Sequence, residues 1–139
     1  MNKNTELETF INDNCDFTKN IVTNEVLKMV EDGIGIKFGT QLTEYIMRYG
    51  YLGFEDKELY GLNSLQGMNS DLFEQTMTLH DYFAITKPYI CMEKVSEHGY
   101  ALIDSNDNIY LYNTTTNELK ELNIKLYDYI LKRFKGELV

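Results

Sequence analysis

Thr40-Gln41-Leu42-Thr43-Glu44-Tyr45-Ile46-Met47-Arg48-Tyr49-Gly50-Tyr51-Leu52-Gly53-Phe54 is the stretch that decides the fold. Leu42, Tyr45, Ile46 and Tyr49 recur at i, i+3, i+4 and i+7, the spacing that lines one face of a helix. Thr40 stands where an N-cap belongs, and Gly50 where the helix should stop. From Tyr51 the period falls to near two. Tyr51–Phe54 and Glu58-Leu59-Tyr60-Gly61-Leu62 flank the polar Glu55-Asp56-Lys57, which predicts a short hairpin, its glycines marking bends or a bulge. An apolar helix face followed directly by a hairpin calls for helix and antiparallel sheet around one core.

Working outward, Thr5-Glu6-Leu7-Glu8 has the form of a capping box, and Leu7, Phe10 and Ile11 share a face of a first helix. A second helix is expected over Thr23–Asp32, with Val26, Leu27 and Val30 inward and Gly33 just past its end. Beyond the hairpin, Asn69–Phe83 reads as a longer helix with Asp71 and Glu74 near its positive end and Phe73, Met77, His80 and Ala84 on one face. After Pro88 the pattern is β throughout: Tyr89–Glu93, Gly99–Ile103, Asn108–Asn113 and Glu118–Leu122, separated by turn-forming residues. Asn123 is expected to cap a last helix carrying Ile124, Tyr127, Ile130, Leu131 and Phe134 inward. Lys125, Lys132, Arg133 and Lys135 are expected near its negative end. The expected architecture is α+β: one domain over residues 1–139, an antiparallel meander flanked by helices, with residues 1–20 a peripheral N-terminal helix and connection.

Composition narrows the function. The 139 residues are 43% hydrophobic, with no tryptophan and eleven tyrosines, which is globular rather than disordered. A net charge of −9, split as −5 in residues 1–70 and −4 in residues 71–139, repels phosphate backbones and speaks against nucleic-acid binding. The same charge suits a basic protein partner. Cys15 and Cys91 stand apart and read as reduced thiols. With no basic-then-apolar start and no apolar run able to span a bilayer, the expectation is a cytoplasmic protein away from membranes. Asn113-Thr114-Thr115 then serves as a polar turn and not a glycan acceptor.

Catalytic and metal chemistry find little to build on. His80 sits on an apolar helix face and reads as a packed core residue, and His98 reads as a solvated turn residue. A Cys91–His98 pair is conceivable across a hairpin, but a thiol inside an apolar strand is inert. Scattered Cys and His do not prefigure zinc. Asp104-Ser105-Asn106-Asp107-Asn108 imitates the start of a calcium loop, yet Ile109 and Thr115 stand where glycine and the bidentate glutamate belong. Gly33-Ile34-Gly35 ends a helix instead of cradling phosphate. No cofactor is expected. Glu55, Asp56 and Glu58 cluster beside Tyr49, Tyr51 and Tyr60; paired carboxylates serve glycosidases, but the chain lacks tryptophan for a sugar cleft. These six residues are the candidate partner-binding surface, because tyrosine joins apolar area to a polar tip.

The run Leu42–Phe54 followed by Glu58–Leu62 resembles the helix-to-hairpin core of the SUKH superfamily, which includes fungal cell-wall assembly regulators and bacterial immunity proteins. Ser70–Phe83 resembles its middle helix, Tyr100–Asp104 and Ile109–Tyr112 its paired strands, and Tyr127–Phe134 its last helix, so that residues 20–135 are covered. Gly39 and the tyrosines depart from a proline and a tryptophan that many members carry. The resemblance implies a non-catalytic α+β domain that binds a protein partner; the chain itself is expected to be a monomer or weak dimer. That partner is a cognate toxin domain in the bacterial branch and a cell-wall or stress pathway component in the regulatory branch.

Overall fold

A computed structural model describes residues 3–19, 22–62 and 71–137. Helix α1 (Lys3–Asn14) leads into strand β1 (Asp16–Lys19), then helices α2 (Asn24–Ile34) and α3 (Thr40–Arg48). Strands β2 (Tyr49–Phe54) and β3 (Lys57–Tyr60) form the hairpin, and helix α4 (Leu72–Tyr82) follows, with a 3₁₀ turn at Ala84–Thr86. Strands β4 (Ile90–Ser96), β5 (Gly99–Ile103), β6 (Asn108–Asn113) and β7 (Glu118–Lys125) make the meander, and helix α5 (Leu126–Phe134) closes the order. The strands form two antiparallel sheets, β1-β2-β3 and β4-β5-β6-β7, an α+β fold around one hydrophobic core.

The α3 stripe supplies the centre of that core: Leu42, Tyr45, Ile46 and Tyr49 are all buried. Removing each of these side chains from water contributes about 1.5–3 kcal/mol. Tyr45 does more than fill space, because its hydroxyl donates to the carbonyls of Leu59 and Tyr60 and ties α3 to β3. Tyr49 caps the C-terminal end of α3 and is already the first residue of β2, so the helix stops at Arg48, short of the last residue of its own stripe.

The hairpin forms as the change of period predicts. Phe54 pairs with Lys57 across a two-residue turn in which Glu55 takes a left-handed φ of 57°. Strand β1, which the sequence reading lacks, pairs with the other edge of β2. Within the stretch 1–20, expected to be peripheral, the described residues 3–19 contribute to both sheet and core. Leu7 and Ile11 are buried, and the Phe10 ring lies 5.4 Å from Phe54 and 6.4 Å from Phe134. Thr5 lies inside α1 and is not its cap.

Other boundaries shift for local reasons. Thr23 caps α2 by accepting from the Val26 N–H, but the helix runs on through Gly33, and Gly35, at φ 84°, is the left-handed terminator. Val26 consequently faces solvent while Leu27 and Ile34 are buried. Asp71 is the N-cap of α4, receiving the Phe73 and Glu74 N–H groups at 2.8 and 3.2 Å. The expected earlier start at Asn69 lies outside the described residues. The buried face of α4 is Leu72, Thr76 and Leu79, with Phe73, Met77 and His80 at its flank and Ala84 exposed beyond its end. Asn123 does not cap α5; it lies within β7 in a left-handed conformation, at an irregularity in the β6–β7 register, and Ile124 also belongs to the strand. Lys125 stands at the N-terminal end of α5, its Nζ donating to the Asn106 carbonyl at 2.9 Å.

Candidate functional site

The six candidate residues divide at the hairpin. Tyr49 and Tyr60 are buried in the core, so neither offers its ring to a partner. The Tyr51 side chain lies outside the described residues. Glu55, Asp56 and Glu58 are exposed, the Asp56 side chain being 91% accessible. Among the described side chains the surface at this tip is therefore a set of carboxylates to which neither Tyr49 nor Tyr60 adds a ring. Depth along the strand marks the difference: β3 runs from exposed Glu58 near the turn to Leu59 and Tyr60, both buried in the core.

The tip is firmly founded. Phe54, immediately before the turn, closes an aromatic trio with Phe10 and Phe134, its centroid 5.5 Å from the latter. Tyr60 lies deep enough for burial to push its phenol well above the usual range. Lys57 is mostly buried, with Nζ 3.4 Å from the Asp56 carboxylate. A left-handed glutamate is uncommon, since its Cβ crowds the following carbonyl, and such strain persists only where the surroundings fix it.

Behind the hairpin lies a charged group that the sequence reading missed. Glu93 is fully buried on β4, where the β4–β5 register shifts between Cys91 and Glu93. That irregularity lets Ile90, Cys91, Met92 and Glu93 all be buried, where strict alternation would expose every second residue. The Tyr129 hydroxyl donates to Glu93 Oε1, and Arg133 Nε donates to the same oxygen at 2.9 Å. Burial pushes the Glu93 carboxyl above its ordinary value, and these bonds, the Arg133 charge and Lys57 offset only part of that rise. The group joins the meander to α5.

A second interior carboxylate also works structurally. Asp107, 5% exposed in the β5–β6 turn, receives the N–H of Gln41 at 3.0 Å through Oδ2 and that of Leu42 at 3.0 Å through Oδ1. It thus caps α3 from across the molecule, a role first assigned to Thr40. Gly39 is essential to this approach, because a Cβ there would lie 2.5 Å from Asp107 Oδ1. Gln41 passes the arrangement on, its Oε1 accepting the Tyr127 N–H at the start of α5.

The remaining candidates resolve into turns and packing. Asp104 gathers the Asn106 and Asn108 N–H groups, Asn108 Nδ2 and the Tyr110 hydroxyl. Burial raises its carboxyl, but these four bonds outweigh that and hold it below its ordinary value. Asp104 and Asp107 therefore face different partners and do not converge as calcium ligands would. Among the described residues no group of three or more His, Cys, Asp or Glu could hold a metal. Cys91 pairs with Leu102, whereas His98 occupies the turn at the far end of the β4–β5 hairpin, so the two are not brought together. Burial pushes the Cys91 thiol far up and the Cys15 thiol to about 11. His80 Nε2 donates to the Tyr89 carbonyl at 2.7 Å, the packed role expected of it. Asn113 Oδ1 accepts the Thr115 and Thr116 N–H groups, making its sequon a closed turn.

Two surface hollows, each about 440 Å³, lie beside the α2–α3 connection. One is lined by Lys37, Thr40, Asn106 and Lys125 among others, the other by Lys28, Glu31, Asp32 and Lys37 among others. Both mix charges of opposite sign. No helix among the described residues is long and apolar enough to cross a membrane.

The family model SUKH_5, described as SMI1-KNR4 cell-wall, matches residues 5–135. No curated protein is similar enough to the chain to match it.

Proposed function

The chain belongs to the SUKH family, and from that membership we propose that it is a non-catalytic protein-binding domain acting as an immunity protein, one that binds and neutralises a basic toxin domain such as a nuclease. The observation that carries this reading is the hairpin tip, where exposed Glu55, Asp56 and Glu58 stand on a rigid turn braced by aromatic packing. Carboxylates at a fixed convex tip can enter a cationic cleft and mimic the phosphates a nuclease would bind there. The chain's net charge of −9 steers it toward such a surface.

Co-expression with the product of the gene immediately upstream, followed by size-exclusion chromatography, tests the reading. A stoichiometric complex, with loss of the neighbour's toxicity, is the expected result. Within that complex, charge reversal by Glu55→Lys with Asp56→Lys should weaken binding by at least about tenfold. Elution of the chain alone beside a harmless neighbour would instead favour a regulatory or scaffolding role, the reading that the family's cell-wall description supports.

A further inference from the structure

Large hydrophobic side chains left exposed are few, and they are not scattered. Among the described residues they are Phe17, Val26, Met29, Tyr82 and Ile85, of which Met29 and Tyr82 are 71% and 77% accessible. All but Phe17 belong to α2, to the end of α4 or to the 3₁₀ turn that follows it. These two helices touch at Gly33, where an added Cβ would lie 3.1 Å from the Phe73 ring. On α2, Val26, Met29 and Gly33 follow one line at i, i+3 and i+7, bordered by exposed Glu25 and Asp32. On α4 the exposed residues Glu74, Thr78 and Asp81 lead to Tyr82, and the helix contains no lysine or arginine.

The Tyr82 end is also held still. Thr86 is buried and its hydroxyl donates to the Phe83 carbonyl at 2.7 Å; the Lys87 and Tyr89 N–H groups donate to the carbonyls of Ala84 and Thr86. Phe83 packs edge-on against Tyr112 at 5.6 Å, and His80 fixes the Tyr89 carbonyl from below. Tyr82 and Ile85 are thus anchors displayed on a preformed corner, while Met29 is the adaptable kind of contact that fits an irregular socket.

We propose that the outer surface of α2 and the α4 corner, with Met29 and Tyr82 as its anchors, is the docking face for a protein partner whose apolar sockets are bordered by lysine or arginine. The inference deepens the protein-binding reading and rests on it. Charge selects this occupant: Glu25, Asp32, Glu74 and Asp81 border the anchors, against Lys28 and Lys87. A second copy of the chain would bring the same carboxylates face to face, where like charges repel. The face and the hairpin tip divide the work. Exposed carboxylates at the tip govern encounter, and anchors covered on binding govern residence time.

The test uses the complex with the upstream neighbour's product and measures association and dissociation rates for Met29→Ser with Tyr82→Ser. Both side chains are exposed, so the free variant should unfold at the wild-type urea midpoint; Val26→Lys provides a second probe of the same face. The expected result is affinity lowered at least about tenfold, chiefly by faster dissociation. Affinity within about twofold of wild type for both variants would overturn the assignment while leaving the binding function intact. Absence of a complex with the wild-type chain would overturn the binding function and this face with it. A wild-type dimer in sedimentation that the double variant abolishes would overturn it in favour of a second copy.

Discussion

Asp107 shows how much one side chain can decide. Its sequence neighbourhood announces a turn, and a turn is what forms; that its carboxylate also caps a helix 65 residues away is not written in any local pattern. Gly39 is the other half of the contact, and its want of a side chain has meaning only once Asp107 is in place. Asp107 itself holds φ at 67°, so the cap is kept at some backbone cost. Asp107→Ala leaves the Gln41 and Leu42 N–H groups without acceptors at a buried helix end, and should destabilise the protein by about 1–2 kcal/mol. Asp107→Asn keeps one acceptor oxygen and should lose less. Urea unfolding of both variants decides the matter: equal midpoints for Asp107→Ala and wild type would mean that the α3 N-terminus finds its partners elsewhere. Tyr49 and Tyr60 teach the opposite lesson. Both fit the periodicity of buried stripes and also the composition of binding surfaces, and residue type could not separate the two until the register placed them inside.

At the scale of elements, legibility followed the regularity of the pattern. Strands β5 and β6 lie where alternation and flanking turns put them, at Gly99–Ile103 and Asn108–Asn113. Strand β1 escaped because Asp16-Phe17-Thr18-Lys19 is short and carries only one apolar residue; it exists because β2 offers an edge to pair with. Helix α5 was visible in its stripe but not in its attachments, which come from Gln41 at one end and Glu93 at the other. The Glu93 link carries a pH signature. Its carboxyl is raised in the folded state above the ordinary 4.5, chiefly by burial, so the fold binds this proton more tightly than the unfolded chain does. The stability it contributes is complete below that ordinary value and is lost as pH rises through the raised one. Glu93→Gln keeps a carbonyl oxygen for Tyr129 and Arg133 without the buried charge. Its stability relative to wild type should therefore improve between about pH 4 and about pH 7. Paired urea titrations across that interval measure it, and a difference that stays flat or moves toward wild type would show that Arg133 fully compensates the charge.

The whole molecule joins a scaffold that sequence describes well to a surface that it describes only in bulk. Net charge could be counted from the start, whereas the separation of exposed carboxylates at one hairpin from exposed apolar anchors on α2 and α4 required the fold. That separation has a kinetic consequence. Surface charges act over about a Debye length, roughly 10 Å at 0.1 M salt and 3 Å at 1 M, so salt should suppress encounter with a basic partner while leaving contact between anchors and sockets largely intact. For the complex with the proposed partner, the association rate should fall by about an order of magnitude between low salt and roughly 0.5 M, with dissociation changing by no more than about threefold. Glu55→Lys with Asp56→Lys should flatten the salt dependence of association. Met29→Ser with Tyr82→Ser should leave that slope unchanged and shift only dissociation. Stopped-flow mixing at several salt concentrations separates these slopes. A salt-insensitive association rate in the wild-type complex would remove charge steering from the mechanism and assign recognition to apolar contact alone.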